Sequence, residues 1–116
     1  MSEYYDAQQM IEAFGRGEYA LILQCAMPFA EAGISDAQCM IALLYQCGAG
    51  VPLDANEAVR WYRKAAEQNH PVAWCSLGTI YDSGLLGVPN EEEARRCYLR
   101  SHELGGPTNA KYVFNE

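Results

Sequence analysis

One motif is written twice in tandem, and that repetition constrains the fold more than any single residue does. Ala37-Gln-Cys-Met-Ile41-Ala-Leu-Leu-Tyr45-Gln-Cys-Gly48 aligns with Ala73-Trp-Cys-Ser-Leu77-Gly-Thr-Ile-Tyr81-Asp-Ser-Gly84, so small residue, aliphatic, tyrosine and glycine coincide at an offset of 36. Each glycine is followed by a short loop closing on Gly50-Val-Pro52 or Gly87-Val-Pro89. An acidic start then leads into a second segment carrying Ala58 and Tyr62, or Ala94 and Tyr98. A fixed period in this range, with two helical segments per unit, marks an α-solenoid whose units bury their apolar faces against one another.

Read in order, the chain divides into a degenerate leading repeat (residues 1–34), two full repeats (35–70 and 71–106) and a truncated capping helix (107–116). In the leader, Ala7, Met10, Ile11 and Phe14 recur at helical spacing, with Glu3, Asp6 and Glu12 on the polar face. A second leader helix carries Tyr19, Leu23, Ala26, Met27 and Ala30 on one face, and Pro28 inside it predicts a kink or local break. Ser35 with Gln38 reads as a capping box opening the third helix, and Asp54 with Glu57 and Asn90 with Glu93 do the same for the fourth and sixth. Glu67 is placed to pair with Arg63 or Lys64. The expected architecture is an all-α, right-handed α/α superhelix of about three helix-turn-helix repeats plus a short C-terminal capping helix.

Composition narrows the functional classes. With 116 residues, half of them hydrophobic, the chain is a single domain able to bury a core. A net charge of −7 argues against nucleic acid and against an anionic membrane surface, since both demand a basic footprint. No apolar run approaches the roughly 18 residues of a spanning helix, and the start Met-Ser-Glu-Tyr-Tyr-Asp carries acid where a signal peptide carries base, so a cytoplasmic location is expected.

Five cysteines, Cys25, Cys39, Cys47, Cys75 and Cys97, are an odd count with no export signal, which reads as reduced thiols. Cys39 and Cys75 hold equivalent positions in neighbouring repeats, where helices roughly 8–10 Å apart exceed the roughly 7 Å Cα limit for a disulfide. The closest cysteine pair, Cys39 and Cys47, is eight apart, against Cys-x₂₋₄-Cys in zinc motifs, so no metal and no cofactor is expected even with His70 and His102 present. Nothing in the sequence supplies a Cys–His nucleophile with a basic, exposed setting. Glu91, Glu92 and Glu93 point different ways from one helix start and serve its dipole. No catalytic residue is assigned, and the chain is read as non-enzymatic.

The run from Ala37 through Tyr45, Gly48-Ala-Gly50-Val-Pro52, Asp54, Glu57-Ala-Val-Arg-Trp61-Tyr62 and Ala65-Ala66 to His70 resembles the Sel1-like repeat family, a branch of the tetratricopeptide-type solenoids. The second copy departs from that pattern, with Cys97 in the place of Trp61 and Ser101-His102 in the place of Ala65-Ala66. The resemblance implies adaptor, scaffold or regulatory roles through binding another protein, with no common active site.

If the geometry of that family holds, the first helix of each pair lines a concave groove that takes a peptide or a partner helix. Met40, Leu43 and Cys47 of one unit and Ser76, Thr79 and Ser83 of the next are then its expected partner-binding residues; the first set is unusually apolar for a solvent face. Trp74 replaces polar Gln38 of the first copy and is expected either as an exposed anchor or as cover for the repeat junction. The acidic amino-terminal helices favour a basic partner. Two further readings keep the fold: self-association as a dimer through a C-terminal end bearing Val113 and Phe114, and neutralisation of one particular enzyme or toxin.

Overall fold

The computed structural model describes residues 4–113; Glu3 and Phe114, invoked above for the acidic face and the docking end, lie outside them. Seven helices and no strand are present among the described residues: α1 (Ala7–Gly15), α2 (Tyr19–Glu31), α3 (Ser35–Cys47), α4 (Ala55–Ala66), α5 (Pro71–Ser83), α6 (Glu91–Glu103) and α7 (Ala110–Val113). Each packs on the next in sequence, and α1 also reaches α3. Three antiparallel pairs and a terminal turn of helix thus stack into a body of 49 × 28 × 23 Å.

Local chemistry sets the helix starts. Asp6, Asp54 and Asn90 each accept a hydrogen bond from the backbone N–H three residues on, at 3.1 Å, satisfying a donor that has no helical acceptor. The capping box expected at Ser35 does not form. Ile34 occupies the N-cap without a side-chain bond, and helix geometry already includes Ser35. Gln38 is drawn inward instead, 4% exposed. Its Nε2 donates to the Ala30 carbonyl in the last turn of α2 (3.1 Å), and its Oε1 accepts from Gln68 Nε2 (3.0 Å). The inter-helix bond to Ala30 O, a carbonyl that Gly33 N also reaches at 3.1 Å, has won over the local cap.

The break expected at Pro28 is also absent, since α2 runs from Tyr19 to Glu31 without interruption. Pro28 faces solvent while Ile22, Ala26 and Ala30 are buried on both sides of it, and that packing offsets the missing backbone donor. Glu67 pairs with neither Arg63 nor Lys64. Arg63 Nη2 donates to Tyr81 Oη at 2.5 Å, and Lys64 Nζ stands 4.6 Å from the centre of the Trp61 ring.

Alanines make the close helix contacts. Ala26, Ala30, Ala37, Ala42, Ala58, Ala65 and Ala73 are all fully buried, and Ile22, Ile41, Leu44, Tyr62, Leu77 and Ile80 fill the space between them. Each buried aliphatic or aromatic side chain is worth about 1.5–3 kcal/mol, so the stack is held chiefly by its seams. A smaller cluster at the C-terminal end joins Ala94, Tyr98 and Tyr112, the two tyrosine rings stacked at 5.3 Å.

Candidate functional site

Helices α1, α3 and α5, the first of each pair, border a concavity of about 270 Å³. Its apolar lining includes Ile11, Met40, Leu43 and Val72, and its polar lining includes Tyr5, Asp36, Cys39, His70 and Ser76. Ile11, on the apolar face of α1, is 57% exposed at the rim, and Val72 of α5, which borders the same concavity, is 46% exposed. The cause is the stacking itself: α1 meets α2 through Met10 and Ala13, leaving the neighbouring position of its stripe over the concavity.

The residues expected in the groove fall in different places. Met40, Leu43 and Ser76 share this concavity; Met40 forms its floor at 7% exposure and Leu43 is half-buried. Trp74 does not border it. That ring lines a separate recess between α4, α5 and α6 with Arg63, Glu67 and Glu93, and its Nε1 is buried without a hydrogen-bond partner in the protein. Trp74 therefore stands at the repeat junction. Thr79 Oγ1 donates to the Cys75 carbonyl (3.2 Å) and meets Tyr98 Oη at 3.1 Å. Ser83 Oγ donates to the Ile80 carbonyl (3.0 Å) and accepts from Leu85 N (3.2 Å), serving the end of α5. Cys47 is exposed at the end of α3 and borders neither recess. A further recess, about 580 Å³ between α1 and α2, is lined by Tyr4, Tyr5, Met10, Pro28 and Phe29; no repeat position marks it in sequence.

One polar constellation in the concavity joins residues far apart in the chain. His70 is the N-cap of α5, and its Nδ1 accepts from Ala73 N at 3.4 Å. Because Nδ1 is the acceptor, the ring proton is on Nε2, which donates to Asp36 Oδ1 at 2.7 Å. Cys39 Sγ stands 3.7 Å from the same Nδ1, so its S–H points at that lone pair. Burial, reinforced by the Asp36 carboxylate, pushes the Cys39 thiol up to about 12, and burial followed by the same carboxylate pushes Tyr5 well above the usual tyrosine range. The resting arrangement keeps the proton on the Cys39 sulfur, so it is not an armed thiolate. Among the described residues, no three His, Cys, Asp or Glu side chains converge to hold an ion.

The stacked helical hairpins define the chain as an α-solenoid of the tetratricopeptide type. The family described as "Sel1 repeat" matches residues 35–70 and 73–106. The chain belongs to the Sel1 repeat family.

Among solved structures, it is similar to a Sel1 repeat protein from Oxalobacter formigenes, with 32% identity, a TM-score of 0.76, and 92% of this chain and 43% of that one covered. It is also similar to c5321, a protective antigen present in uropathogenic Escherichia coli strains displaying an SLR fold, with 25% identity, a TM-score of 0.63, and 88% and 26% coverage. Among curated proteins, a stretch of 50 residues is 42% identical to Protein SHC1 of Saccharomyces cerevisiae, 43% of this chain and 10% of that protein. The chain spans less than half the length of each of these relatives. Proteins of this family generally mediate protein–protein interaction. No helix among the described residues is long and apolar enough to cross a membrane.

Proposed function

We propose that this chain is a protein-interaction module, an adaptor or regulator without catalysis of its own, whose concavity between α1, α3 and α5 receives a segment of a partner protein. The observation that carries this reading is the pair of exposed aliphatics, Ile11 and Val72, flanking one recess floored by Met40 and Leu43. Exposed apolar side chains gathered around one hollow mark an interaction surface, and an amphipathic helix or extended peptide fits it.

The charge distribution supports a basic partner. Residues 4–54 carry six carboxylates, Asp6, Glu12, Glu18, Glu31, Asp36 and Asp54, against Arg16 alone, whereas residues 55–113 hold seven acids and seven Lys or Arg. Asp36 of this acidic half lines the concavity, so a segment with one apolar anchor and adjacent Lys or Arg is the best complement. Self-association through the C-terminal end has weaker support, because Val113 packs against the Tyr98–Tyr112 cluster.

The test is a quantitative pull-down from native lysate with the wild-type chain, an Ile11→Glu, Val72→Glu variant and a Leu85→Glu control distant from the recess, each shown by circular dichroism to keep its helices. Partners lost from the double variant alone, with binding that weakens as salt rises, support the reading. Equal retention by all three proteins removes it.

A further inference from the structure

The Asp36, Cys39 and His70 constellation has features that peptide docking does not use, since it presents a soft sulfur and an imidazole nitrogen to one point. We propose that Cys39 Sγ and His70 Nδ1 form a two-donor site for a soft, thiophilic monovalent cation, Cu(I) by chemical class, with Asp36 orienting the imidazole.

Geometry is the first support. Sγ and Nδ1 face each other at 3.7 Å across the wall of the concavity. An ion held about 2.3 Å from sulfur and about 2.0–2.1 Å from an imidazole nitrogen separates its two donors by roughly 3.5 Å at a tetrahedral angle and roughly 4.3 Å in line. The observed separation falls inside that span, and an in-line arrangement is reached when the two donors part by roughly 0.6 Å.

The tautomer is the second support. Metal-binding histidines commonly give their other ring N–H to a carboxylate, which fixes the ring and raises its basicity. His70 does this through the 2.7 Å bond from Nε2 to Asp36 Oδ1, leaving the Nδ1 lone pair turned to the thiol. The Ala73 N–H that also reaches Nδ1 does so at a long 3.4 Å and is the contact an ion would displace.

Donor count selects the ion. With no third His, Cys, Asp or Glu side chain converging among the described residues, the site falls short of the three or four protein ligands of zinc centres and has nothing for hard cations that demand many oxygens. Thiolate favours Cu(I), which accepts two ligands. The remaining polar neighbours, the hydroxyls of Tyr5, Tyr62 and Ser76, are neutral and border the same recess. Because Cu(I) replaces the thiol proton, the net charge of the site is unchanged, and Asp36 acts by holding the imidazole N–H. Binding is an exchange: the Cys39 S–H bond breaks, an S–Cu bond forms, and one proton passes to solvent with no change in oxidation state.

The experiment titrates the full chain, carrying Cys25→Ser and Cys47→Ser to remove the two exposed thiols, with Cu(I) under anaerobic conditions against a chromophoric Cu(I) chelator. One equivalent should be held, one proton released, and the His70 Nδ1 resonance displaced in a nitrogen-15 spectrum. Adding Cys39→Ser or His70→Asn should weaken binding by at least tenfold, and Asp36→Asn by about tenfold. Asparagine is itself a strong N-cap, so His70→Asn keeps the start of α5 while removing the ring. Unchanged affinity in either the Cys39→Ser or the His70→Asn protein, or an unmoved His70 resonance, overturns the proposal.

Discussion

Gly78 of α5 lies against the ring of Tyr98 of α6, so close that a Cβ at position 78 would meet ring atoms Cδ1, Cε1 and Cζ at 3.0 Å. The equivalent pair one repeat earlier is Ala42 and Tyr62, where the methyl group is accommodated with Ala42 fully buried. Position 78 therefore has little room for a methyl group against the Tyr98 ring. Tyr98 cannot retreat freely, because its other side stacks on Tyr112 and its Oη meets Thr79.

From this contact, Gly78→Ala should destabilise the chain by about 1–3 kcal/mol, the usual cost of overpacking a filled site, even though alanine is the better helix former by about 1 kcal/mol. Urea denaturation followed by circular dichroism measures it. A Gly78→Ala protein as stable as wild type would show that the tyrosine ring gives way.

A second prediction concerns Gln38, which ties α3 to the last turn of α2 through Ala30 O and to the turn after α4 through Gln68. Replacing it by alanine leaves the buried amide pocket without its partners and should lower stability by about 1–3 kcal/mol. Gln68→Ala, on an exposed residue, should cost less than about 1 kcal/mol, and the double variant should fall short of the sum because the two share one bond. Additive losses would mean that the Gln38–Gln68 bond contributes nothing measurable.

These two cases show what was legible in the sequence. Repeat period, helix count and the Asp54 and Asn90 caps follow from local pattern, because each depends on residues a few positions apart or on the 36-residue offset. Gln38 and Trp74 do not. They occupy equivalent positions, yet one reaches back to the Ala30 carbonyl of α2 and the other covers the junction with α6, and both choices depend on which neighbour is stacked there. The concavity was half legible: Met40, Leu43 and Ser76 were placed by repeat position, whereas Ile11 and Tyr5 enter because α1 leans on α3, and Val72 lines it from the first turn of α5. His70 and Cys39 are 31 residues apart, so no short-spacing rule brings them together.

The thiols make a third prediction. Cys39 is pushed up to about 12 and Cys97 to about 11, burial being the larger cause in both, and Cys75 is raised by burial. At pH 8, iodoacetamide should label Cys25 and Cys47, both exposed, well before the other three, as read by peptide mass spectrometry. A raised thiol keeps its proton in the folded state longer than in the unfolded chain, so its stabilising effect is complete below about pH 8.5. That effect is lost as pH climbs through 9 toward 12. Stability should accordingly be level near neutrality and decline above about pH 9, with a shallower decline in a Cys39→Ser, Cys97→Ser variant. An identical alkaline slope in that variant would assign the effect to the buried tyrosines Tyr5 and Tyr62, which burial also raises.

The last prediction follows from a position that recurs at every repeat end. Residues 33, 69 and 105 are separated by 36 and all lie in the left-handed region, with φ of 101° at Gly33, 63° at Asn69 and 79° at Gly105. Two copies use glycine; the middle one uses asparagine, the residue that tolerates this conformation best after glycine. Asn69 has a second attachment, since its Oδ1 accepts from Arg100 Nη2 at 3.1 Å across the junction with the next repeat. Backbone strain and that exposed bond make opposite demands. Alanine fails on both counts, and Asn69→Ala should lower stability by about 1–2 kcal/mol. Glycine relieves the backbone while losing a solvent-exposed contact worth less than about 1 kcal/mol, so Asn69→Gly should stay within about 0.5 kcal/mol of wild type, as chemical denaturation would read. Equal losses for the two variants would reverse the assignment, making the bond to Arg100 rather than the left-handed turn the reason that asparagine stands at the end of the middle repeat.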